Sequence, residues 1–168
     1  MGIAHLTKLN VGEPKIMCKL SIELVPQTCW FSNVRDHVDK KTWDLLRKDT
    51  YKKANYKCEI CGGIGEKHPV ECHEIWHYDD EKYIQTLMGL TALCPSCHQV
   101  KHIGLARVRG KEAEAKKHLA KVNNWSTLQV ENYLAKVWSQ WTQRSQFNWK
   151  LDLSWLEENF NIKVTEKR

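Results

Sequence analysis

The sequence has no long apolar run and little of the residues that mark flexible or repetitive chains. Its 168 residues include only 8 glycines and 4 prolines, and no segment repeats another. A membrane-spanning helix needs about 20 consecutive apolar residues, so none is expected. A basic and then apolar N-terminal segment, typical of secretory signals, is also missing. We therefore expect a cytoplasmic protein with no membrane partner.

Neither sign of charge dominates the chain. Lys and Arg number 26 against 20 Asp and Glu, which gives a net charge of +6. The basic excess lies in the two flanks, because residues 58–110 are slightly acidic. Such a balance is compatible with nucleic-acid binding through the flanks, but many proteins of similar charge never bind nucleic acid.

Cysteine, by contrast, is plentiful, and four of the 7 cysteines form two matched pairs. Cys58 and Cys61 make one C-x-x-C motif, and Cys94 and Cys97 make a second. Each motif places two thiolates on a tight turn, so the two together supply the four ligands of a tetrahedral zinc. The alternatives are two disulfides, which a reducing compartment disfavours, or four cysteines in a core. We predict one structural zinc.

The hydrophobic pattern predicts an α+β fold whose first two parts differ in character. Residues 1–57 should contain an irregular lead-in, a strand at about 16–25 and a helix capped by Asp39. Residues 58–104 should form a zinc module of two strands and a helix that ends at Gly104.

The last third of the chain is predicted to be helical. Residues 105–168 should contain a helix at about 111–122, a long helix capped by Ser126 and a short final helix. The apolar positions of these helices predict that they pack on the same domain as the zinc module.

Three histidines accompany the cysteine pairs. His98 and His102 are four residues apart, so on a helix they share one face and could hold a second ion. His73 falls on the first predicted strand of the module. Without a ligand role, the first two would belong to a solvated helix face or to the surroundings of the zinc, and His73 would be an exposed strand residue.

The module resembles the HNH nuclease family with its ββα-metal fold. The likeness covers about residues 58–103 and rests on "CEICGG", "CPSCHQVKH" and the strand, loop, strand and helix between and after them. It implies that His73 is the general base and that His98 and His102 bind a catalytic Mg, Mn, Ni or Zn ion. It also implies an endonuclease that hydrolyses nucleic acid, DNA more than RNA. In that chemistry the ion stabilises charge on the leaving oxygen while neutral His73 takes a proton from water.

Two positions depart from the family pattern. Gly89 stands where many members have Asn, and Cys72 stands where Asp or His commonly precedes the base. A thiolate is soft and favours zinc over magnesium or manganese. The lost oxygen ligand could be replaced by one of four nearby residues, which are Glu71, His77, Asp79 and Asp80.

These departures leave two further functions open. The first is a catalytically degenerate HNH-like zinc module that binds nucleic acid or a protein partner without cutting. The second is an inhibitor or regulator that works through the helical last third. Metal binding at the histidines would favour the enzyme.

A basic segment after the predicted metal helix is the candidate phosphate-binding surface. Its members are Arg107, Arg109, Lys111, Lys116 and Lys117. We expect them to contact phosphates rather than bases. The competing interpretation is the solvated start of a helix.

Overall fold

The computed structural model describes residues 18–30 and 33–164, and it has the predicted mixed α+β class. The α-helices are α1 Lys40–Lys53, α2 Pro95–Lys101, α3 Ile103–Val108, α4 Glu112–Asn123, α5 Thr127–Arg144 and α6 Ser154–Phe160. The strands are β1 Glu71–Asp79, β2 Ile84–Leu93 and β3 Lys150–Asp152. Short 3-10 turns cover Gln27–Cys29 and Val34–Asp36. None of the described helices is long and apolar enough to span a membrane.

The three strands form one sheet in the order β1, β2, β3. β1 and β2 make an antiparallel hairpin with a register shift between Ile75 and Trp76, and β3 lies parallel to β2. The hairpin carries the chain from the first cysteine pair to the second. α2 begins immediately after Cys94, whose sulfur accepts the amide of Cys97 as an N-cap would.

Both helix starts predicted from capping residues are confirmed. The Asp39 carboxylate accepts the amide of Thr42 at 2.9 Å and begins α1. Ser126 begins α5 in a capping box with Gln129. These side chains satisfy amides that the first helical turn would otherwise leave unpaired.

The predicted strand at 16–25 is wrong over the part that the structure describes. Residues 18–26 form no helix and belong to no sheet, and helix side chains bind several of their backbone groups. Asn123 binds both Leu20 N–H and Leu20 C=O at 2.9 Å, and Tyr133 accepts from Ile22 N–H at 3.0 Å. Trp141 donates to a carbonyl of the same segment at 2.9 Å. The apolar alternation therefore marked side chains that are buried, but the segment packs against helices rather than beside another strand.

Gly104 does not end the metal helix as predicted. The break comes at His102, whose backbone leaves the helical region, and the chain turns again as α3 through Val108. Gly104 lies inside α3, where a side chain would begin 3.4 Å from Leu24 and 3.6 Å from Trp138. Its role is close packing against these two side chains.

Two hydrophobic clusters lie around the hairpin and its flanking helices. The first joins three of the zinc-module cysteines to α2–α5, through Leu93, Val100, Ile103, Leu119 and Leu134 among others. The second joins α1, β2 and α6 through Val34, Trp43, Leu46, Leu87, Leu153 and Leu156. The segment at 18–26 contributes Leu20 and Ile22 to the first cluster.

Candidate metal centres and the adjoining cleft

The four paired cysteines come together in one cluster. Their sulfur atoms all lie within 4.8 Å of one another, and the sulfurs of Cys61 and Cys94 are 3.6 Å apart. Four thiolates on a tetrahedral zinc, each at about 2.3 Å, would lie about 3.8 Å apart. All seven cysteines are free thiols, so no disulfide competes. The cluster has the size and the donor set to hold a metal such as zinc.

N–H groups point at the sulfurs of this cluster. The amides of Gly63 and Cys97 lie 3.4 Å from Cys61 Sγ and 3.5 Å from Cys94 Sγ. From α4, Nε2 of His118 lies 3.2 Å from Cys97 Sγ. Four thiolates exceed the charge of one Zn²⁺ by two, and hydrogen-bond donors reduce the cost of burying that excess. His118 is a partner that no sequence spacing indicated.

The three predicted histidines also converge, from β1 and from α2 with its C-cap. His73, His98 and His102 each offer a ring nitrogen within 4.8 Å of the other two. Their ring centroids are 4.7 to 5.3 Å apart. A group of this size could hold a metal ion. His73 is not the exposed strand residue of the competing interpretation, because only 4% of its surface is accessible.

Glu71 supplies the carboxylate beside this cluster. Its side chain contacts Nδ1 of His98 and also lies 2.6 Å from Nε2 of His68. With Nδ1 engaged, Nε2 of His98 is the ring nitrogen left for a metal. A carboxylate in this place fixes the tautomer and the orientation of a ligand histidine.

Glu23 plays the equivalent part for His73. Its Oε2 lies 3.0 Å from His73 Nε2, and its Oε1 accepts from the buried Lys101 ammonium at 2.5 Å. If His73 Nε2 carries the proton, Nδ1 is the basic nitrogen of the neutral ring. Lys101, at the end of α2, also donates to Ser21 at 2.9 Å. The same ammonium therefore ties α2 to the segment that carries the Glu23 carboxylate.

The surroundings of His73 and His102 favour the neutral ring. Burial lowers the pKa of His73, although its hydrogen bond to Glu23 acts in the opposite direction. Burial, followed by the neighbouring His98, lowers the pKa of His102 to about 3. The hydrogen bond from His98 lowers the pKa of Glu71 to about 2. Metal binding and proton abstraction both require the neutral imidazole, so these shifts suit either role.

A cleft of about 580 Å³ lies beside the histidine cluster. His98 and His102 line it together with the cationic side chains of Arg35, Arg47, Arg109 and Lys111. Among the described residues that line it, Glu71 is the one carboxylate. The cleft therefore has an excess of positive charge before any ion is bound.

The structure divides the predicted phosphate-binding residues into two groups. Arg109 and Lys111 line the cleft. Arg107 and Lys116 are held by carboxylates at 2.7 and 3.0 Å, and Lys117 is exposed but does not line the cleft. Of the five, only Arg109 and Lys111 line the cleft beside the histidines.

The residues that depart from the HNH pattern also have definite positions. Cys72 packs against the second hydrophobic cluster and is not part of the histidine cluster. A side chain at Gly89 would begin against Ile75 and Trp155. Three of the proposed substitute ligands lie elsewhere on the hairpin, since His77 is exposed, Asp79 caps its own turn and Asp80 pairs with Arg144. Glu71 is thus the one of the four beside the histidines.

Sequence reasoning missed Glu23, Arg35 and Arg47 as site residues. Glu23 lies 50 positions before its partner His73, within a segment whose only local signal was apolar alternation. The arginines lie in and before α1, where basic residues are usually a solvated helix face. Their nearness to the histidines depends on tertiary packing, which single-sequence patterns do not encode.

No family model matches this chain, and comparisons with curated proteins and with solved structures found no match either. The likeness to HNH nucleases rests on the motif residues alone.

Proposed function

We propose that the chain is a metal-dependent endonuclease of the HNH type that hydrolyses phosphodiester bonds of nucleic acid, DNA rather than RNA. The observation that carries this proposal is the convergence of the buried His73 with His98 and His102, two histidines that line a cationic cleft. A structural zinc at the four cysteines would hold α2 against the hairpin and so fix the relative positions of these histidines.

His98 and His102 are the proposed ligands of the catalytic ion. Both line the cleft, and the contact of Glu71 with Nδ1 of His98 leaves Nε2 for the metal. A divalent ion at this position would bind the scissile phosphate and stabilise the charge on the leaving oxygen. Imidazole ligands suit zinc and nickel, whereas magnesium and manganese prefer oxygen ligands such as carboxylates and water.

His73 is the proposed general base. Its ring is within 5.3 Å of both ligand rings, centroid to centroid, and its Nε2 is committed to Glu23. The remaining Nδ1 would accept the proton of a water that attacks the phosphorus. Because the pKa of His73 is lowered by burial, the ring is neutral and ready to accept that proton at neutral pH.

Cleavage assays with a point variant test this assignment. Supercoiled plasmid and an RNA substrate are incubated with wild type and with His73→Ala, each supplied with Mg, Mn, Ni or Zn. We expect wild type to cut the plasmid and His73→Ala to be about a hundredfold slower or worse, with unchanged zinc content. His77→Ala, an exposed histidine on the same strand, is the matched control and should cut normally.

Two results would contradict the proposal. Equal cleavage by wild type and His73→Ala would indicate another base or a contaminating nuclease. Absence of cleavage by wild type with every metal would favour the module that binds without cutting.

A further inference from the structure

The cleft beside the histidines is bordered by cations from two parts of the chain that are far apart in sequence. Arg35 comes from the 3-10 turn before α1, and Arg109 and Lys111 come from the connection between α3 and α4. All three side chains are exposed. The sequence predicted phosphate contacts only in the basic segment that follows the metal helix, so Arg35 was not expected at the cleft.

The cations near the histidines differ in how firmly other side chains of the protein hold them. Arg107 makes two hydrogen bonds to one carboxylate, at 2.7 and 3.1 Å, and lies over the ring of Trp138. Lys116 is held by two carboxylates, at 3.0 and 3.5 Å. Arg35, by comparison, lies over the ring of Trp43 with its guanidinium 5.4 Å from the ring centroid. An aromatic face orients a guanidinium while its N–H groups stay available to an anion.

We propose that this cleft binds the phosphodiester backbone of a nucleic-acid strand, with Arg35 and Arg109 contacting phosphates that flank the one at His98. This choice of ligand rests on the proposed function. The cleft has room for more than one phosphate, since its volume is about 580 Å³ and its cations and histidines come from separate elements. Contacts to phosphate oxygens set the register of a strand and carry no sequence information.

A salt titration of binding measures how many phosphates the cleft contacts. The probe is a short fluorescein-labelled DNA duplex, and the protein carries His73→Ala so that it does not cut during the measurement. Each phosphate contact contributes about 0.9 to the slope of log affinity against log salt for duplex DNA. We expect Arg35→Ala/Arg109→Ala to reduce the slope by nearly two and to weaken binding roughly tenfold at low salt.

Two further variants separate charge from folding. Arg35→Lys/Arg109→Lys keeps both charges and should retain most of the slope. Lys121→Ala/Lys136→Ala removes two exposed charges that do not line the cleft and should leave the slope unchanged. A slope that falls equally in this control and in Arg35→Ala/Arg109→Ala would overturn the proposal, because the binding would then follow net charge alone.

A competition arm distinguishes a strand from a nucleotide. A mononucleotide should displace the duplex only weakly, and displacement as effective as that by unlabelled duplex would overturn the proposal. Plasmid cleavage together with normal binding by Arg35→Ala/Arg109→Ala would contradict this inference and leave the proposed function standing. Binding that depends on these arginines, without cleavage under any metal, would support this inference and contradict the proposed function.

Discussion

The cysteine cluster and the histidine cluster share one short stretch of chain but have opposite surroundings. Cys97 is fully buried and belongs to the first hydrophobic cluster, while the next residue, His98, faces the cleft with a quarter of its side chain exposed. One residue of helix turns the side chain by about 100°, which is enough to separate core from cleft. A single helix thus contributes side chains to both clusters.

The partners of the two clusters differ as well. Backbone amides and the Nε2 atom of His118 lie against the sulfurs, as suits a closed site. Carboxylates lie against the histidines, and the cleft beside them is open and cationic. Structural zinc sites use all of their positions for protein ligands, whereas catalytic sites keep one open. Loss of the first cluster should therefore affect folding, and loss of the second should affect chemistry.

The largest effect should come from the cysteine cluster. Cys97→Ser removes a fully buried ligand, and we expect loss of zinc and of cooperative folding of the module. A structural zinc contributes about 10–16 kcal/mol in small domains, which equals or exceeds the net stability of most domains. Elemental analysis and thermal unfolding measure this. Cys18→Ser changes an exposed cysteine outside the cluster and should keep both the zinc and the melting temperature.

The histidine cluster should show the opposite pattern. His98→Ala should retain the zinc and the melting temperature of wild type within a few degrees, yet lose cleavage about a hundredfold or more. It should also weaken DNA binding, since the ion that anchors the phosphate is lost with its ligand. Cleavage, fluorescence anisotropy and thermal unfolding of the same preparation test this. Unfolding as severe as that of Cys97→Ser would erase the difference between the two clusters.

The local features of the fold were predictable, but the contacts between distant segments were not. Two kinds of feature depend only on residues close in sequence, which are the helix caps Asp39 and Ser126 and the pairing of cysteines within each C-x-x-C motif. They could therefore be predicted from spacing. The segment at 18–26 carried a strand pattern, yet its backbone is bound by helix side chains more than a hundred positions away. Alternation indicates which side chains are buried and leaves open what binds the backbone.

The same distinction explains the candidate site. The pair His98 and His102 was predicted from helical spacing, although His102 lies at the C-cap where the helix breaks, and His73 was predicted from the resemblance to a known motif. The roles of Glu23 and Arg35 depend on packing between the N-terminal segment and the module, and no periodicity records that packing.

A moderate effect is expected at the carboxylate beside His98. Glu71→Gln keeps the size of the side chain but removes its charge, so His98 should be oriented less firmly. We expect the second ion to bind about tenfold more weakly, which calorimetric titration of Mn²⁺ into zinc-loaded protein would measure. Glu66→Gln alters an exposed glutamate in the preceding loop and should bind the ion as wild type does. Equal affinities in wild type and Glu71→Gln would contradict the orienting role.

The smallest effect is expected at His118. His118→Phe removes the imidazole beside Cys97 while the helix that carries it stays folded, so zinc should be retained but transferred to a chelator about fivefold faster. His118→Gln offers an amide N–H and should recover part of the loss. A transfer rate that is the same in wild type and in His118→Phe would show that this contact does not stabilise the thiolates.

We propose that the chain holds two metal sites of different kinds, and the number of metal ions bound per chain distinguishes two sites from one. Wild type and His98→Ala/His102→Ala are purified with zinc, titrated with Mn²⁺ or Ni²⁺ and analysed for bound metal after removal of free ions. We predict one zinc plus one further ion per chain in wild type, and one zinc alone in the double variant. One zinc and no further ion in both proteins would contradict the claim.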